Sequence, residues 1–168
     1  LLCVSLSAWS FPDEWDADFK LATEVFLPIG TDWRLLKAQC YQESKLQPLA
    51  VSPVGAFGLC QFMPRTAADV GHTLGVEPDQ FWLPAVSIRA AGYYMGKLIY
   101  SWKAERPQLD RHKLALASYN AGIGHILKAQ KLCDNARLYD DIVPPCLPRV
   151  TGRHSAETIG YARNIVDR

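Results

Sequence analysis

A single glutamate follows a row of apolar residues on a predicted helix and is a candidate for acid–base chemistry. Leu36, Cys40 and Glu43 are separated by four and three residues, so they lie on one helix face. A carboxyl at the end of a buried face is costly to ionise, so its pKa should rise. A carboxyl that keeps its proton near neutral pH can act as a general acid. The alternative is that Glu43 turns outward at the helix end and is solvated.

The loop after this helix carries groups that suit a neutral polar ligand. Pro48 ends the helix, so Glu43 lies at a helix terminus beside the loop. Gly55 and Gly58 let the loop backbone approach a bulky group closely. The Gln61 amide offers two donors and one acceptor, which suits hydroxyl- and amide-bearing ligands, although it can also cap the next helix. Three apolar side chains are assigned to the core, with sugar faces as the alternative: Phe57, Phe62 and Met63.

The histidines and cysteines do not form a second catalytic pattern or a metal site. The 4 histidines are scattered without a nucleophile at fixed spacing, which argues against a Ser/His or Cys/His hydrolase. No Cys or Cys/His spacing typical of zinc occurs, so we expect no metal and no other cofactor. Cys133 and Cys146 bracket a Pro- and Asp-rich loop and favour a disulfide, as expected outside the reducing cytosol. Cys40 and Cys60 lie in apolar patterns that favour small buried side chains over a bridge.

Helices must position these groups, because apolar residues recur at helical spacing along most of the chain. The predicted helices are residues 13–27, a segment after Thr31 or Asp32, 64–70, 84–102, a segment after Asp110, a segment after Gly124, and 157–166. The helix over 84–102 has the longest pattern and is expected to be central. Arg111 to Lys113 is interpreted as a solvated helix start. Only residues 50–60 suggest extended structure, so the predicted fold class is mainly α with at most a small β element.

The length and the charge of the chain limit the number of domains and the kinds of partner that we expect. The chain has 168 residues, which fits one domain, predicted over residues 13–168. Residues 1–12 are interpreted either as an arm that packs on the domain or as the end of a signal segment. Charged residues make up 21% and the formal net charge is +1, so neither disorder nor nucleic-acid binding through bulk charge is expected.

Three sequence blocks together resemble the signature of the soluble lytic transglycosylase catalytic domain. They read QESKLQPLAVSPVGAFGLCQFMPRTA, ALASYNAGIGHI and SAETIGYARNIV, in the order found in that family. The resemblance covers about residues 31–167. It implies a lysozyme-like α-helical fold, related to goose-type lysozyme. It also implies cleavage of the bond between N-acetylmuramic acid and N-acetylglucosamine in peptidoglycan.

The resemblance also implies roles for individual positions. Glu43 matches the single catalytic acid/base of the family. The positions that match substrate-binding residues are Ser52, Gly55, Gln61, Tyr119, Asn120, Glu157 and Tyr161. Tyr119 would help to orient the sugar, although it can equally be a core ring, and Glu157 can equally serve the dipole of its own helix. Cys60 and Phe57 depart from the family pattern, which puts the shape of the sugar-binding wall in question.

The mechanism implied by the resemblance uses one carboxyl. Most glycosidases place two carboxylates around the bond, whereas no acidic residue occurs between Lys45 and Arg65. Glu43 would protonate the glycosidic oxygen and then accept the proton of the muramyl 6-hydroxyl, which closes a 1,6-anhydro ring. Two alternatives stay open: a hydrolytic muramidase of the goose-lysozyme type, and an inactive module that binds the cell wall.

The implied partner is the glycan strand of peptidoglycan, and the domain is expected to be monomeric. A periplasmic or cell-envelope location follows from that substrate, with a phage virion as the alternative. Wall remodelling, secretion, conjugation and phage assembly all fit such a domain, and the sequence does not choose among them.

Overall fold

In a computed structural model that describes residues 12–167, almost all regular structure is helical. The α-helices are α1 (Asp16–Phe26), α2 (Trp33–Ser44), α3 (Pro64–Leu74), α4 (Pro84–Ser101), α5 (Gln108–Ala121), α6 (Ile123–Leu132), α7 (Tyr139–Cys146), α8 (Pro148–Thr151) and α9 (Ser155–Val166). Short 3₁₀ turns at Pro78–Trp82 and Gly152–His154 precede α4 and α9. The β structure in this part of the chain consists of isolated bridges, Val51 with Phe57 and Phe57 with Phe62. The predicted fold class is confirmed.

Two aspartates explain why α2 begins where the sequence predicts and α5 does not. Helix α2 begins after Asp32, whose side chain accepts a hydrogen bond from the Arg34 N–H at 2.9 Å. Helix α5 begins before Asp110 rather than after it. The Asp110 carboxylate instead accepts a hydrogen bond from the Tyr139 N–H, the first residue of α7, at 2.8 Å. This aspartate therefore connects two helices and does not cap its own.

Three further boundaries were predicted wrongly by a few residues. Helix α1 begins at Asp16 rather than at residue 13, because the Asp16 N–H bonds to the Asp13 carbonyl in a preceding turn. Helix α6 begins at Ile123, so Gly124 lies inside the helix that it was expected to precede. Helix α9 begins at Ser155, two residues before the predicted start. Helix ends are the least certain part of a pattern-based prediction.

Helix α5 lies at the centre of the core. Four consecutive residues in it are fully buried: Leu114, Ala115, Leu116 and Ala117. Consecutive helix positions point in different directions, so α5 must be covered on every side. It contacts α4, α6, α7 and α9. Helix α4, which was expected to be central, packs on α1, α3 and α5 but keeps an exposed side that includes Tyr100.

The core also contains His112, which corrects the interpretation of Arg111 to Lys113 as a solvated helix start. The side chain of His112 is only 5% exposed. Burial lowers the pKa of His112 to about 4, so the imidazole is neutral at neutral pH. The physical reason is that α5 starts at Gln108, which places His112 in the second turn and on the buried face.

Two disulfides join helices to their neighbours. Cys133 bonds to Cys146, as predicted, and links the end of α6 to the end of α7. Cys40 bonds to Cys60, which corrects the prediction that these two are separate buried side chains. The chain turns back after α2, so the two Cα atoms lie 4.5 Å apart despite a separation of 20 residues. This return of the chain has no local sequence signal.

Helices α1 and α4 approach closely because glycines on α4 leave room for the α1 backbone. A Cβ atom added at Gly92 would lie 3.0 Å from the Cβ of Ala22. A Cβ atom added at Gly96 would overlap the carbonyl oxygen of Phe26. The second contact is with backbone, which cannot swing away as a side chain can.

The Gly96→Ala variant is expected to lower the free energy of unfolding by about 1–3 kcal/mol, because the new methyl group must push α1 away from α4. Gly124→Ala is the matched control, since a Cβ atom there meets open space on another helix. That control should be neutral or more stable by up to about 1 kcal/mol. Urea unfolding of both variants measures the difference, and equal stabilities would contradict the close contact.

The predicted N-terminal arm or signal segment lies almost wholly outside the described residues. Its last residue, Pro12, is held by the buried Lys37 of α2, whose ammonium donates to the Pro12 carbonyl at 2.5 Å and also pairs with Asp16. The start of α1 is thereby fixed to α2. Within residues 12–167, no helix combines the length and the apolar character required to cross a bilayer.

Candidate active site

A cleft of about 590 Å³ opens beside the end of α2. Its walls come from α2, the loop over residues 50–63, the end of α5 and the first turns of α9. The structure brings most of the predicted site residues to this cleft: Glu43, Ser52, Gln61, Tyr119, Asn120, Glu157 and Tyr161. Gly55 does not line it. Gly55 instead forms the turn that closes the loop, with a φ of 87° that favours glycine.

Glu43 occupies the last turn of α2 and projects into the cleft from a largely buried position. The helix ends one residue later at Ser44, whose hydroxyl donates to the Leu59 carbonyl at 2.7 Å and so fixes the helix end to the loop. Burial raises the pKa of Glu43 to about 7, the hydrogen bond from Tyr161 opposes this rise, and the charge of Glu157 adds to it. The carboxyl is therefore substantially protonated near neutral pH.

The Tyr161 hydroxyl donates to Oε1 of Glu43 at 2.5 Å. Tyr161 was predicted only as a substrate-binding residue, yet it directly contacts the candidate acid. Its ring is 5% exposed, and burial raises the pKa of its hydroxyl well above the ordinary value. The hydroxyl therefore keeps its hydrogen and restrains one oxygen of the carboxyl. Because the two residues are 118 positions apart, no sequence spacing indicates this contact.

Gln61 closes the loop on the other side of the cleft. Its Nε2 donates to the carbonyls of Ala50 and Gly58, at 3.0 and 2.9 Å. Both amide hydrogens are thus used within the loop, and the side-chain oxygen is the group left for a ligand. The expectation that Gln61 offers donors to a ligand is wrong for this state, and so is the alternative that it caps the following helix.

Tyr119 combines the two roles that the sequence left open. Its hydroxyl donates to the Cys60 carbonyl at 2.8 Å, and its ring packs in a cluster with Phe62 and Tyr94. Burial raises the pKa of this hydroxyl well above the ordinary value, and Glu43 adds to the rise. Tyr119 therefore belongs to the packed wall of the cleft and also fixes the loop before Gln61.

The remaining predicted residues form hydrogen bonds along the cleft wall. Asn120 accepts from Thr158 at 2.7 Å and donates to the Glu157 carboxylate at 3.5 Å, which ties α5 to α9. Glu157 lies in the first turn of α9, where the helix dipole stabilises a negative charge. It also lines the cleft. The Ser52 hydroxyl oxygen accepts from the Ala56 N–H at 3.0 Å within the loop.

The three apolar side chains of the loop differ in how deeply they are buried and in what they contact. Phe62 is 2% exposed and belongs to the core, as expected. Phe57 is half-buried and packs against Trp82, with ring centroids 4.9 Å apart. Met63 is 43% exposed and lines the cleft, so its assignment to the core is wrong. An apolar side chain on the cleft wall can contact the apolar face of a sugar.

A comparison with family models decides the classification. The model described as "Transglycosylase SLT domain" matches residues 28–140, which is more than half of the chain. The chain belongs to this SLT family. The SLT match contains Glu43, Gln61 and Tyr119, and the α9 residues of the cleft follow it in the sequence.

Curated relatives of this SLT domain are named membrane-bound lytic murein transglycosylase F. The protein from Pectobacterium atrosepticum is 36% identical over 149 residues, which are 86% of this chain and 28% of the relative. The protein from Pseudoalteromonas translucida is 44% identical over 99 residues, which are 59% of this chain and 20% of the relative. The chain thus spans about a quarter of the length of these relatives.

Solved structures of lytic transglycosylases share the fold of this SLT domain. The 70-kDa soluble lytic transglycosylase of Escherichia coli superimposes with a TM-score of 0.67 at 25% identity, over 93% of this chain and 23% of that one. An inactive glutamate-to-glutamine mutant of lytic transglycosylase Slt from Pseudomonas aeruginosa gives 0.70 at the same identity and coverage. The 70-kDa enzyme in complex with bulgecin A gives 0.72. The lysozyme-like helical fold expected from the sequence is confirmed.

The stability of this SLT domain should depend on the protonation of Glu43. Folding raises its pKa from the ordinary 4.5 to about 7, so the folded protein holds this proton more tightly than the unfolded chain. The resulting stabilisation is fully present below about pH 4.5 and is lost as the pH rises through about 7. Relative to Glu43→Gln, the wild type should therefore lose roughly 2–4 kcal/mol across this window. Urea unfolding of both proteins over that pH range measures the loss, and a constant difference would contradict it.

Proposed function

We propose that this SLT domain is a peptidoglycan lytic transglycosylase. It cleaves the β-1,4 bond between N-acetylmuramic acid and N-acetylglucosamine and forms 1,6-anhydromuramic acid. The observation that carries this proposal is the environment of Glu43, a mostly buried carboxyl with a pKa of about 7 in the cleft of an SLT domain. The names of the relatives support the transglycosylase reaction, and the inactive glutamate-to-glutamine mutant of the Pseudomonas enzyme supports its dependence on a glutamate.

The first step uses the protonated form of Glu43. The carboxyl donates its proton to the glycosidic oxygen, and the bond from that oxygen to C1 of the muramyl residue breaks. The acetamido oxygen of the same muramyl residue attacks C1, so the positive charge moves to the acetamido group. The Tyr161 hydroxyl then donates to a carboxylate, and hydrogen bonds to ionised acceptors are stronger than those to neutral ones.

The second step returns the proton. The Glu43 carboxylate accepts the hydrogen of the muramyl 6-hydroxyl while O6 attacks C1 and displaces the acetamido oxygen. Glu43 ends the cycle protonated, and no water is consumed. A pKa of about 7 suits a group that must both give and take a proton near neutral pH. We propose that the cleft-lining groups, among them Ser52, Gln61 and Asn120, hold the sugars.

A hydrolytic muramidase is the second candidate function. The observation that favours it is the presence of a second carboxylate, Glu157, in the cleft. Glu157 is a second carboxylate in the cleft, close enough to raise the pKa of Glu43. Inverting glycosidases use a second carboxylate as a base that activates water. In this alternative, Glu157 would hold the water that attacks C1, and the product would carry a reducing muramyl end.

The two reactions are separated by mass spectrometry of muropeptides released from purified peptidoglycan in oxygen-labelled water. The lytic transglycosylase predicts anhydromuramyl ends without label, which are lighter by one water than reducing ends. Reducing ends that carry the label would identify a hydrolase instead. Binding to peptidoglycan without either product would identify an inactive cell-wall module, the third possibility that the sequence left open.

We also propose that the protein acts in the cell envelope, on the periplasmic side where peptidoglycan lies. The names of the curated relatives as membrane-bound murein transglycosylases support this location. A role in wall remodelling, secretion, conjugation or phage assembly would present the same substrate to the cleft. Detection of the protein in periplasmic or membrane fractions from its native source tests the location.

A further inference from the structure

Gln39 of α2 is fully buried, and its amide is not satisfied by ordinary hydrogen bonds. Its exposed fraction is 0%, and neither Nε2 nor Oε1 completes a hydrogen bond of normal geometry among residues 12–167. An unsatisfied buried amide lowers stability relative to an apolar group of the same shape. Such groups are rare in native proteins, and they are tolerated where function requires them.

The position of Gln39 relates it to the candidate acid. Gln39 precedes Glu43 by four residues in α2, so the two side chains lie on the same face of the helix. Helix α9 packs across this face and brings the Tyr161 hydroxyl to Oε1 of Glu43. The Gln39 side chain interacts with the same hydroxyl and lowers its pKa. The three side chains therefore form a cluster with the tyrosine oxygen at its centre.

Once Glu43 is ionised, the hydrogen-bonding capacity of these groups allows one consistent arrangement. A tyrosine hydroxyl has one hydrogen and two lone pairs. Tyr161 uses its hydrogen on Glu43, so its oxygen can only accept from another partner. The Nε2 group of Gln39 is such a donor. If the tyrosine instead donated to the Gln39 carbonyl, the ionised form of Glu43 would lose its hydrogen bond, because a carboxylate has no hydrogen to give in return.

We propose that Gln39 is a positioning residue whose amide donates to the Tyr161 oxygen and keeps the Tyr161 hydrogen directed at Glu43 throughout proton transfer. The proposal rests on the proposed function for its role in catalysis. Donation to the tyrosine oxygen polarises the O–H bond, which makes Tyr161 a better donor once Glu43 is ionised. Burial and then Glu43 raise the pKa of Tyr161, and the interaction with Gln39 opposes the rise, as expected for a donor to its oxygen.

Among the described residues, the other groups that interact with Glu43 come from α9 and α5. Helix α9 presents Tyr161 and Glu157, and helix α5 presents Tyr119, whose hydroxyl donates to the Cys60 carbonyl. Of these, only Tyr161 hydrogen-bonds to the carboxyl. An effect of Gln39 on Glu43 should therefore pass through Tyr161 and vanish when the tyrosine hydroxyl is removed.

The experiment is a double-variant cycle with Gln39→Met and Tyr161→Phe. Methionine keeps the length of the side chain and removes the amide. Gln39→Met should lower kcat about tenfold with little change in KM, and should move the alkaline limb of the kcat profile up by about half a pH unit. In the Tyr161→Phe background, the same substitution should have no further effect. Stability should change little, because the variant loses the bond to Tyr161 but also removes the buried Oε1, which has no hydrogen-bond partner.

Gln130→Met is the matched control, since Gln130 is a partly buried glutamine whose Nε2 donates to the Ala136 carbonyl at 2.8 Å, outside the cleft. This control should lower stability and leave the pH profile unchanged. The proposal is overturned if Gln39→Met behaves in the same way, or if its effect on kcat persists in the Tyr161→Phe background. If methionine prevents folding, Gln39→Leu provides the same comparison.

A second readout separates failure of this inference from failure of the proposed function. The titration of Glu43 can be followed by NMR with carbon-labelled glutamate, without any substrate. Gln39→Met should raise the pKa of Glu43, since Tyr161 becomes a weaker donor to the carboxylate. An unchanged titration overturns the role of Gln39 whatever the enzyme produces. Absence of anhydromuramyl products from the wild type would overturn the proposed function alone.

Discussion

Replacing Glu43 by glutamine is expected to abolish the formation of anhydromuramyl products while the fold persists. Glutamine keeps the shape of the side chain and can still accept the hydrogen bond from Tyr161. It has no acidic proton to give to the glycosidic oxygen and cannot take the proton of the 6-hydroxyl. General acid–base catalysis contributes roughly 10²–10⁴-fold to rates, and both steps here depend on one group, so the loss should reach at least the upper end.

Turbidity loss of purified peptidoglycan and mass spectrometry of the products measure the effect of Glu43→Gln. Glu157→Gln is the matched control, because it makes the same chemical change at another glutamate of the cleft. We expect that control to keep most of its activity under the transglycosylase mechanism. Clearing of the wall by Glu43→Gln at the wild-type rate would remove Glu43 from the mechanism. Loss of activity in Glu157→Gln, with reducing-end products in the wild type, would support the hydrolytic alternative.

Removing the Cys40–Cys60 disulfide should impair activity by more than the loss of stability explains. Cys40 lies one turn before Glu43, and Cys60 immediately precedes Gln61, so the bond joins the two sides of the cleft. Cys60 is also held by hydrogen bonds to Ser87 and Tyr119. Without the bond, the loop can shift relative to the acid, and misplacement by about 1 Å can lower rates by as much as 10²-fold. We expect the Cys40→Ala/Cys60→Ala variant to lose about tenfold in kcat/KM.

The Cys133–Cys146 disulfide provides a matched control for this experiment. The two bonds close chain segments of 20 and 13 residues, so loss of either should cost about 3 kcal/mol of stability. Only the Cys40–Cys60 bond adjoins the cleft. Activity is measured at a temperature well below both unfolding midpoints, with the midpoints taken from thermal unfolding. Equal activities of the two double variants would show that the bond near the cleft acts through stability alone.

Much of the fold follows from local patterns in the sequence. The spacing of apolar residues around Leu36, Phe19 and Ile88 predicts amphipathic helices, because a helix must bury one face to be stable. Asp32 and Pro84 mark helix starts through their own backbone chemistry. One boundary error arises where a side chain bonds to a distant segment, as Asp110 does to the start of α7, and another where a local turn precedes the helix, as at Asp13 before α1.

The cleft could be predicted in part. The apolar row that ends at Glu43 indicates a carboxyl with a raised pKa, and the structure gives it a pKa of about 7. The sequence blocks also named half of the residues that line the cleft. They did not indicate how those residues interact, because the types of side chain do not determine whether an amide such as that of Gln61 faces a ligand or the loop.

The sequence by itself determined the class of the fold, the position of the candidate acid at a helix end and several of the polar residues that line the cleft. The tertiary structure alone decided that Tyr161 donates to Glu43, that Gln39 lies against this pair and that Cys40 bonds to Cys60. The physical reason is the separation along the chain of the residues that interact. Helix patterns arise from residues three or four positions apart, whereas these contacts join segments that are distant in the sequence and meet only when the helices pack around one core.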